Sequence, residues 1–383
     1  MKRVGWILVT VCLLLWTLPL NGQAVELQTA GKSAVLMDVA TGTVLYEQNV
    51  HEPLAPASVT KVMTMLLIME AIDSGKIGWD DTVTASEAAA AKGGSQIYLK
   101  VGEQMSVTDM VKSIAVSSAN DCACAMAEHI AGSEPAFVEM MNQRASELGM
   151  NDTHFVNCTG LDDDDSAKEH RTSAYDIALM SRELLKNHPD IKKYTTIWMD
   201  TVRGGVFGLA NTNKMVRFYS GCTGLKTGFT SGAGYCLSAS AARDGMELIA
   251  VVMGAKTSKD RFAACKSMLD YGFANFAIYT PVLQEGASVP VTLGEADSVA
   301  AVPAGEINLL VDKSQRNSIG TELALDETVT APVSRGQRLG TLTIKAGEQI
   351  LSQIPLVAES AVSRLTWGQL TLRLLRRIAM AGD

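Results

Sequence analysis

The chain has 383 residues, of which 47% are hydrophobic and 19% charged, and a formal net charge of -8. That length and apolar content suffice for one sizeable core and a second, smaller unit. The acidic balance, with no Lys/Arg-rich run to offset it, excludes nucleic acid as a main partner, because phosphate binding needs a basic surface.

Met1, Lys2 and Arg3 precede an apolar stretch over 4–20 and then Asn21-Gly22-Gln23-Ala24. Charge, hydrophobic segment and small residues in that order read as a signal peptide over 1–24, cleaved after Ala24, with an uncleaved anchor as the other reading. Either way the remainder is expected to be secreted across the cytoplasmic membrane. Cys12 leaves with the signal, so six of the seven cysteines stay in an oxidising compartment, where buried thiols and disulfides both remain open. The five histidines do not cluster with cysteines and no CxxC occurs, which argues against a structural zinc site.

Two apolar runs around Ala40-Thr41-Gly42 predict a hairpin over 33–48. The stretch 58–72 leaves almost no polar face and reads as a helix buried on most sides. Helical patterning continues over 107–131, then over 134–148 after the start signal Ser133-Glu134-Pro135 and before the stop Gly149, and again from Ser173 through Leu185. A second hairpin is expected over 234–254 about Arg243-Asp244-Gly245, followed by a helix over 258–275. After Tyr279-Thr280-Pro281 the texture changes to short Val/Leu/Ile runs broken by Gly, Pro and Asp, which predicts a small all-β unit ending near 357.

The stretch 359–380 differs again. On a helical wheel Trp367, Leu370, Leu374, Leu375 and Ile378 share an apolar arc, with Thr366, Gln369, Arg373, Arg376 and Arg377 opposite. Such a helix suits a lipid interface with anionic headgroups, and it is too short and charged to span a bilayer.

Three short motifs could carry chemistry. In Ser58-Val59-Thr60-Lys61 the serine and lysine share one helical face, and a lysine whose pKa is lowered by burial can take a serine's proton. Ser118-Ala119-Asn120 offers a hydroxyl for proton relay and an amide for substrate. Lys226-Thr227-Gly228 offers a charge, a hydroxyl and an unobstructed strand position, suited to a peptide docking along a sheet edge with its carboxylate near Lys226 and Thr227. Each motif alone is common; their order and spacing together are not.

Together they resemble the signature of the serine penicillin-recognising enzymes, in which strands from both ends of the catalytic domain form one antiparallel sheet beside the nucleophile helix. Within that group the chain resembles the low-molecular-mass D-Ala-D-Ala carboxypeptidases of peptidase family S11, on the β-rich unit, the terminal amphipathic helix and local matches such as Gly94-Ser95-Gln96 and Gly160-Leu161-Asp162. The resemblance implies an α+β fold: a penicillin-binding, β-lactamase-like transpeptidase domain over 25–278, a β-rich domain over 279–358 and a membrane-associating helix over 359–383. It also implies removal of the terminal D-alanine from peptidoglycan stem peptides at the outer face of the membrane, covalent inhibition by β-lactams, and no cofactor or metal. Ser58 would be acylated, Lys61 would be its base, and Ser118 and Asn120 would serve proton transfer and binding. Lys226 and Thr227 would hold the carboxylate beside Gly228. Backbone N–H groups of Ser58 and Phe229 would meet the oxyanion; Phe229 stands where some relatives have histidine.

Two rival readings of the motifs exist. A class A β-lactamase needs a glutamate to activate water, and the nearest match, Glu183-Leu184-Leu185-Lys186-Asn187, sits in a continuous helical run. A non-catalytic wall-binding module would not need the full set of catalytic side chains. The acidic run 162–165 lacks the alternating spacing of a calcium loop. His154 and His170 are assigned surface or packing roles, since a lysine mechanism needs neither.

Overall fold

The computed structural model describes residues 27, 29–163, 165–281, 286–305 and 307–380, with side-chain placement described for all of these but 166 and 376–380. The signal-peptide segment lies outside the described residues. Strands β1 (Ser33–Asp38) and β2 (Val44–Gln48) form the first hairpin, its turn fixed by Asp38 Oδ1 accepting from Thr41 N at 2.8 Å. A short 3-10 turn, Ala57–Thr60, then leads into α1 (Lys61–Asp73), buried along nearly its whole length. Each fully buried Leu, Ile or Met there contributes about 1.5–3 kcal/mol, which makes α1 a rigid platform for what its first turn carries.

The expected helix over 107–131 is two helices, α2 (Val107–Ser117) and α3 (Asn120–Ala131), because Ser118 adopts the left-handed conformation at φ 63°. The weak helix formers Ser117, Ser118 and Asn120 read as a helix about to end or turn, and the chain does turn here. The break is held by tertiary bonding, with Asn120 N donating to Ser95 O at 2.7 Å. Helices α4 (Glu134–Glu147) and α5 (Ala174–Asn187) begin where expected, capped by Ser133 and Ser173, whose side chains accept from Ala136 N and Asp176 N.

Strands β3 (Cys222–Thr230), β4 (Gly234–Arg243) and β5 (Met246–Ala255) complete a sheet of order β2-β1-β5-β4-β3. The turn Asp244-Gly245 has φ of 50° and 77°, the primed geometry that tight hairpins favour. β1 pairs antiparallel with β5, Ser33 opposite Met253, so both ends of the catalytic unit meet in one sheet. Alternate residues separate two cores. Val35, Met37, Ile249 and Val251 face the core containing α1 to α5, while Leu36, Leu248, Ala250 and Val252 face α6 (Ser258–Asn275).

A six-stranded sheet with its own core, including Val289, Leu339, Ile344, Leu356 and Val362, forms the second unit. The strand pair Phe276–Tyr279 with Leu309–Asp312 lies between the two units, and Leu310 packs against the catalytic core beside α6. The final helix, α7 (Trp367–Met380), starts later than the amphipathic pattern suggested. Residues 359–366 are claimed by the β unit instead: Val362 is bridged to Val333 and buried.

Candidate active site

Ser58 lies on the 3-10 turn just before α1, half-buried, following Ala57 at φ 48°. A non-glycine residue in this region is strained, so its surroundings must hold it. Gly160 supplies one restraint: at φ 78°, a Cβ there would lie 1.9 Å from Ala57 O, so only glycine allows the contact.

Lys61 is fully buried, and its Nζ donates to Ser58 Oγ at 3.0 Å and to Thr159 O at 2.8 Å. Burial lowers its pKa from 10.5 to about 7, with Cys158 and the buried Asp121 resisting. The neutral amine is therefore well populated near neutrality and placed to accept the Ser58 proton. Asp121 itself accepts from Ile97 N, Leu99 N and Cys122 N, which ties the segment carrying Ser95 to the start of α3.

Ser118 forms the left-handed turn between α2 and α3. Ser118 Oγ and Asn120 Oδ1 are both buried and take no hydrogen bond within the protein, while Asn120 Nδ2 donates to Gly93 O at 2.7 Å. Such orphaned buried groups are costly and rare away from functional sites, and here they can meet a ligand.

From the sheet side, β3 brings Lys226, Thr227, Gly228 and Phe229. Lys226 is buried, its pKa pushed far down by desolvation and then by the charges of Lys61 and Arg261. Thr227 Oγ1 donates to Thr212 Oγ1 at 2.7 Å. Gly228 packs directly on the nucleophile turn, where a Cβ would lie 2.6 Å from Pro56 O and 3.1 Å from Ser58 N. The Phe229 ring is stacked on Tyr235, 4.3 Å between centroids, across the β3–β4 pair. Strand β3 thus packs on the turn that carries Ser58, and Lys226 lies near enough to Lys61 to feel its charge.

The residue pattern and fold agree with the comparisons. The D-alanyl-D-alanine carboxypeptidase family profile matches residues 21–257, and that of the penicillin-binding protein 5 C-terminal domain matches 279–364. The chain belongs to the D-alanyl-D-alanine carboxypeptidase family. Among curated relatives, D-alanyl-D-alanine carboxypeptidase DacF of Bacillus subtilis is 44% identical over 346 residues, 88% of this chain and 87% of that protein. Penicillin-binding protein 5 of Haemophilus influenzae superposes with a TM-score of 0.76 at 31% identity, covering 88% of this chain and 98% of that one. Penicillin-binding protein D2 of Listeria monocytogenes, solved in an ampicillin-bound form, gives 0.57 at 32% identity over 65% of this chain and 99% of that one. The α+β expectation, a transpeptidase-like domain followed by an all-β one, therefore holds.

Residues outside the three motifs also shape the site of this D-alanyl-D-alanine carboxypeptidase. Arg261, on α6, donates through Nη1 to Gly228 O at 2.7 Å and Cys236 O at 3.1 Å, and its buried Nε has no partner. Thr159, Gly160 and Thr212 likewise lie far from the motifs in sequence. Only Gly160 was signalled, by the Gly-Leu-Asp match. The lactamase-like glutamate has no place in this carboxypeptidase cleft: Glu183 accepts from Arg144 Nη2 at 2.7 Å in an ion-pair cluster with Glu70. Glu70, Glu183 and His188 could group around a cation, but Arg144 already supplies their positive charge. All six described cysteines are free thiols.

Proposed function

We propose that Ser58 is the nucleophile with which this D-Ala-D-Ala carboxypeptidase removes the terminal D-alanine from peptidoglycan stem peptides, and that β-lactams acylate the same residue. The observation that carries this reading is the 3.0 Å contact from Lys61 Nζ to Ser58 Oγ, combined with a lysine pKa near 7. Lys61 takes the hydroxyl proton as Oγ bonds to the carbonyl carbon of the penultimate D-alanine. The resulting oxyanion is met by the backbone N–H groups of Ser58 and Phe229. As the C–N bond breaks, Ser118 relays the proton to the leaving amine, and free D-alanine departs. Water then enters the emptied leaving-group position and hydrolyses the ester.

Asn120 holds the peptide backbone along β3, while Gly228 lets that strand pack against the nucleophile turn. The terminal carboxylate binds against Thr227, Lys226 and the Arg261 charge behind them. An anion there favours the protonated form of Lys226 and so restores the charge that burial and its cationic neighbours suppress.

The membrane surface is the second proposed partner, through a signal over 1–24, a catalytic unit over 25–278, a β unit that runs from 279 to the start of α7, and the terminal helix from Trp367. The polar side of α7 is pinned to the β unit, with Arg373 donating to Gly294 O at 2.9 Å and paired with Asp297, and with Gln369 donating to Glu295 at 3.0 Å. Trp367, Leu374 and Leu375 stay 84%, 53% and 59% exposed, as a lipid-facing surface requires. No described helix is long and apolar enough to cross a membrane. The side chains of Arg376, Arg377 and Ile378 lie outside the described ones.

The test is Ser58→Ala exposed to a fluorescent penicillin, alongside mass spectrometry of a D-Ala-D-Ala pentapeptide incubated with the native enzyme. Covalent labelling should vanish with the circular dichroism spectrum unchanged, and the native enzyme should remove one alanine. Undiminished labelling of the variant removes Ser58 as nucleophile, and an intact pentapeptide would favour a binding module.

A further inference from the structure

His170 carries no step of the mechanism above, yet it is 4% exposed and lies behind the nucleophile turn. Its Nδ1 accepts from Val156 N at 3.1 Å, so Nδ1 carries no proton and Nε2 does. Nε2–H then donates to Thr60 Oγ1 at 2.8 Å, and Thr60 Oγ1 in turn donates to Ala57 O at 2.8 Å. Because the chain starts at a backbone donor and ends at a backbone acceptor, only one tautomer and one hydroxyl orientation satisfy it.

The two ends of that chain matter. Ala57 is the left-handed residue immediately before Ser58. Val156 belongs to the segment whose Cys158 O accepts from Thr64 at 2.6 Å and whose Thr159 O accepts from Lys61 at 2.8 Å. One imidazole therefore links the backbone that aims the nucleophile to the backbone that holds its base. Gly160 closes the arrangement from the same segment, packed against Ala57 O and 2.7 Å, at its would-be Cβ, from Thr60 Oγ1. The backbone bridge between His154 and Arg171 fixes the loop on which His170 rides, and Phe155 meets the imidazole edge-on at 5.7 Å.

We infer that His170 is a positioning residue for acylation: acting through Thr60, it holds the strained Ala57 turn in register with Lys61, and so sets the Ser58–Lys61 geometry. The inference rests on the reading of Ser58 as nucleophile. It uses the neutral imidazole, and the surroundings keep it neutral: burial, His154 and Lys61 lower its pKa to about 4. A group locked in this way stores no charge and shuttles no proton; it transmits geometry, to which a bond-forming step is more sensitive than binding is.

The experiment separates binding from acylation by following a fluorescent penicillin over a concentration series. It yields the dissociation constant of the first complex and the limiting acylation rate. Thr60→Val removes the link at nearly constant volume, His170→Ala removes the donor, and His170→Gln keeps an N–H directed at Thr60. Thr60→Val and His170→Ala should each lower the limiting rate about ten- to a hundredfold. The dissociation constant should stay within about twofold of native, and His170→Gln should recover most of the rate. Where His170→Ala does not fold, Thr60→Val and His170→Gln decide. Native acylation by Thr60→Val, a loss confined to the dissociation constant, or a His170→Gln protein slowed as much as either other variant each overturns the inference. A Ser58→Ala control that still labels would instead overturn the nucleophile assignment.

Discussion

Replacing Lys61 with methionine should abolish acylation and at the same time stabilise the protein at neutral pH. In the unfolded chain the amine titrates at 10.5; in the folded protein it titrates at about 7. Between these values the unfolded state binds more protons, so the native protein gains stability as pH rises through that window, and below it the full penalty is paid. At about 1.36 kcal/mol per pKa unit the penalty is about 5 kcal/mol in acid, about 4 at pH 7 and about 2 at pH 9. The variant escapes it but loses the hydrogen bonds to Ser58 Oγ and Thr159 O, at about 1 kcal/mol each. The net expectation is a gain of about 2 kcal/mol at pH 7 that disappears by pH 9. Urea titrations of both proteins at the two pH values measure it. The change in the gain with pH is the sharper quantity, because the lost contacts cancel from it. A gain that is the same at pH 7 and pH 9, or a variant less stable than native at pH 7, would refute the account of Lys61 as a base neutralised by burial.

The same lysine sets the acid limb of the enzyme's activity. Penicillin acylation should rise about tenfold per pH unit from pH 5 and level off above about pH 7, and a flat profile over that range would contradict Lys61 as base. In Gly160→Ala the new methyl group would meet Ala57 O at a φ of 78°. A stability loss above about 2 kcal/mol with loss of labelling is expected, and native thermal unfolding and labelling would show that the turn is not packed as described. Leu374→Glu with Leu375→Glu should abolish co-sedimentation with vesicles containing anionic lipid while leaving soluble D-alanine release intact, and retained sedimentation would contradict docking through α7.

Much of this architecture is local and was readable in the chain. Ser133 and Ser173 announce their helices because a hydroxyl caps the free N–H groups of a first turn wherever it occurs. Asp244-Gly245 sets its hairpin because the primed turn needs two residues tolerant of positive φ. The unrelieved apolar run of α1 predicts its burial, and the three motifs in order predict the family. Strand β3 was less legible. Its Cys222-Thr223-Gly224 start has little alternation, and it becomes a strand by pairing with β4. The helix break at Ser118 was only half legible: Ser117, Ser118 and Asn120 are weak helix formers that read as a helix about to end or turn, but the bond that holds Asn120 comes from Ser95, brought in from another loop.

Ser58 and Lys61 were paired by their spacing, but spacing does not desolvate an amine. The pKa near 7 comes from packing α1 among its neighbours and beneath Thr159. Arg261 and His170 belong to no motif, and their relation to the site depends on where α6 and the loop before α5 come to rest. Residue type and short-range spacing thus determined which groups could do the chemistry. Burial and long-range backbone contacts, which no local pattern encodes, decided their protonation and their aim.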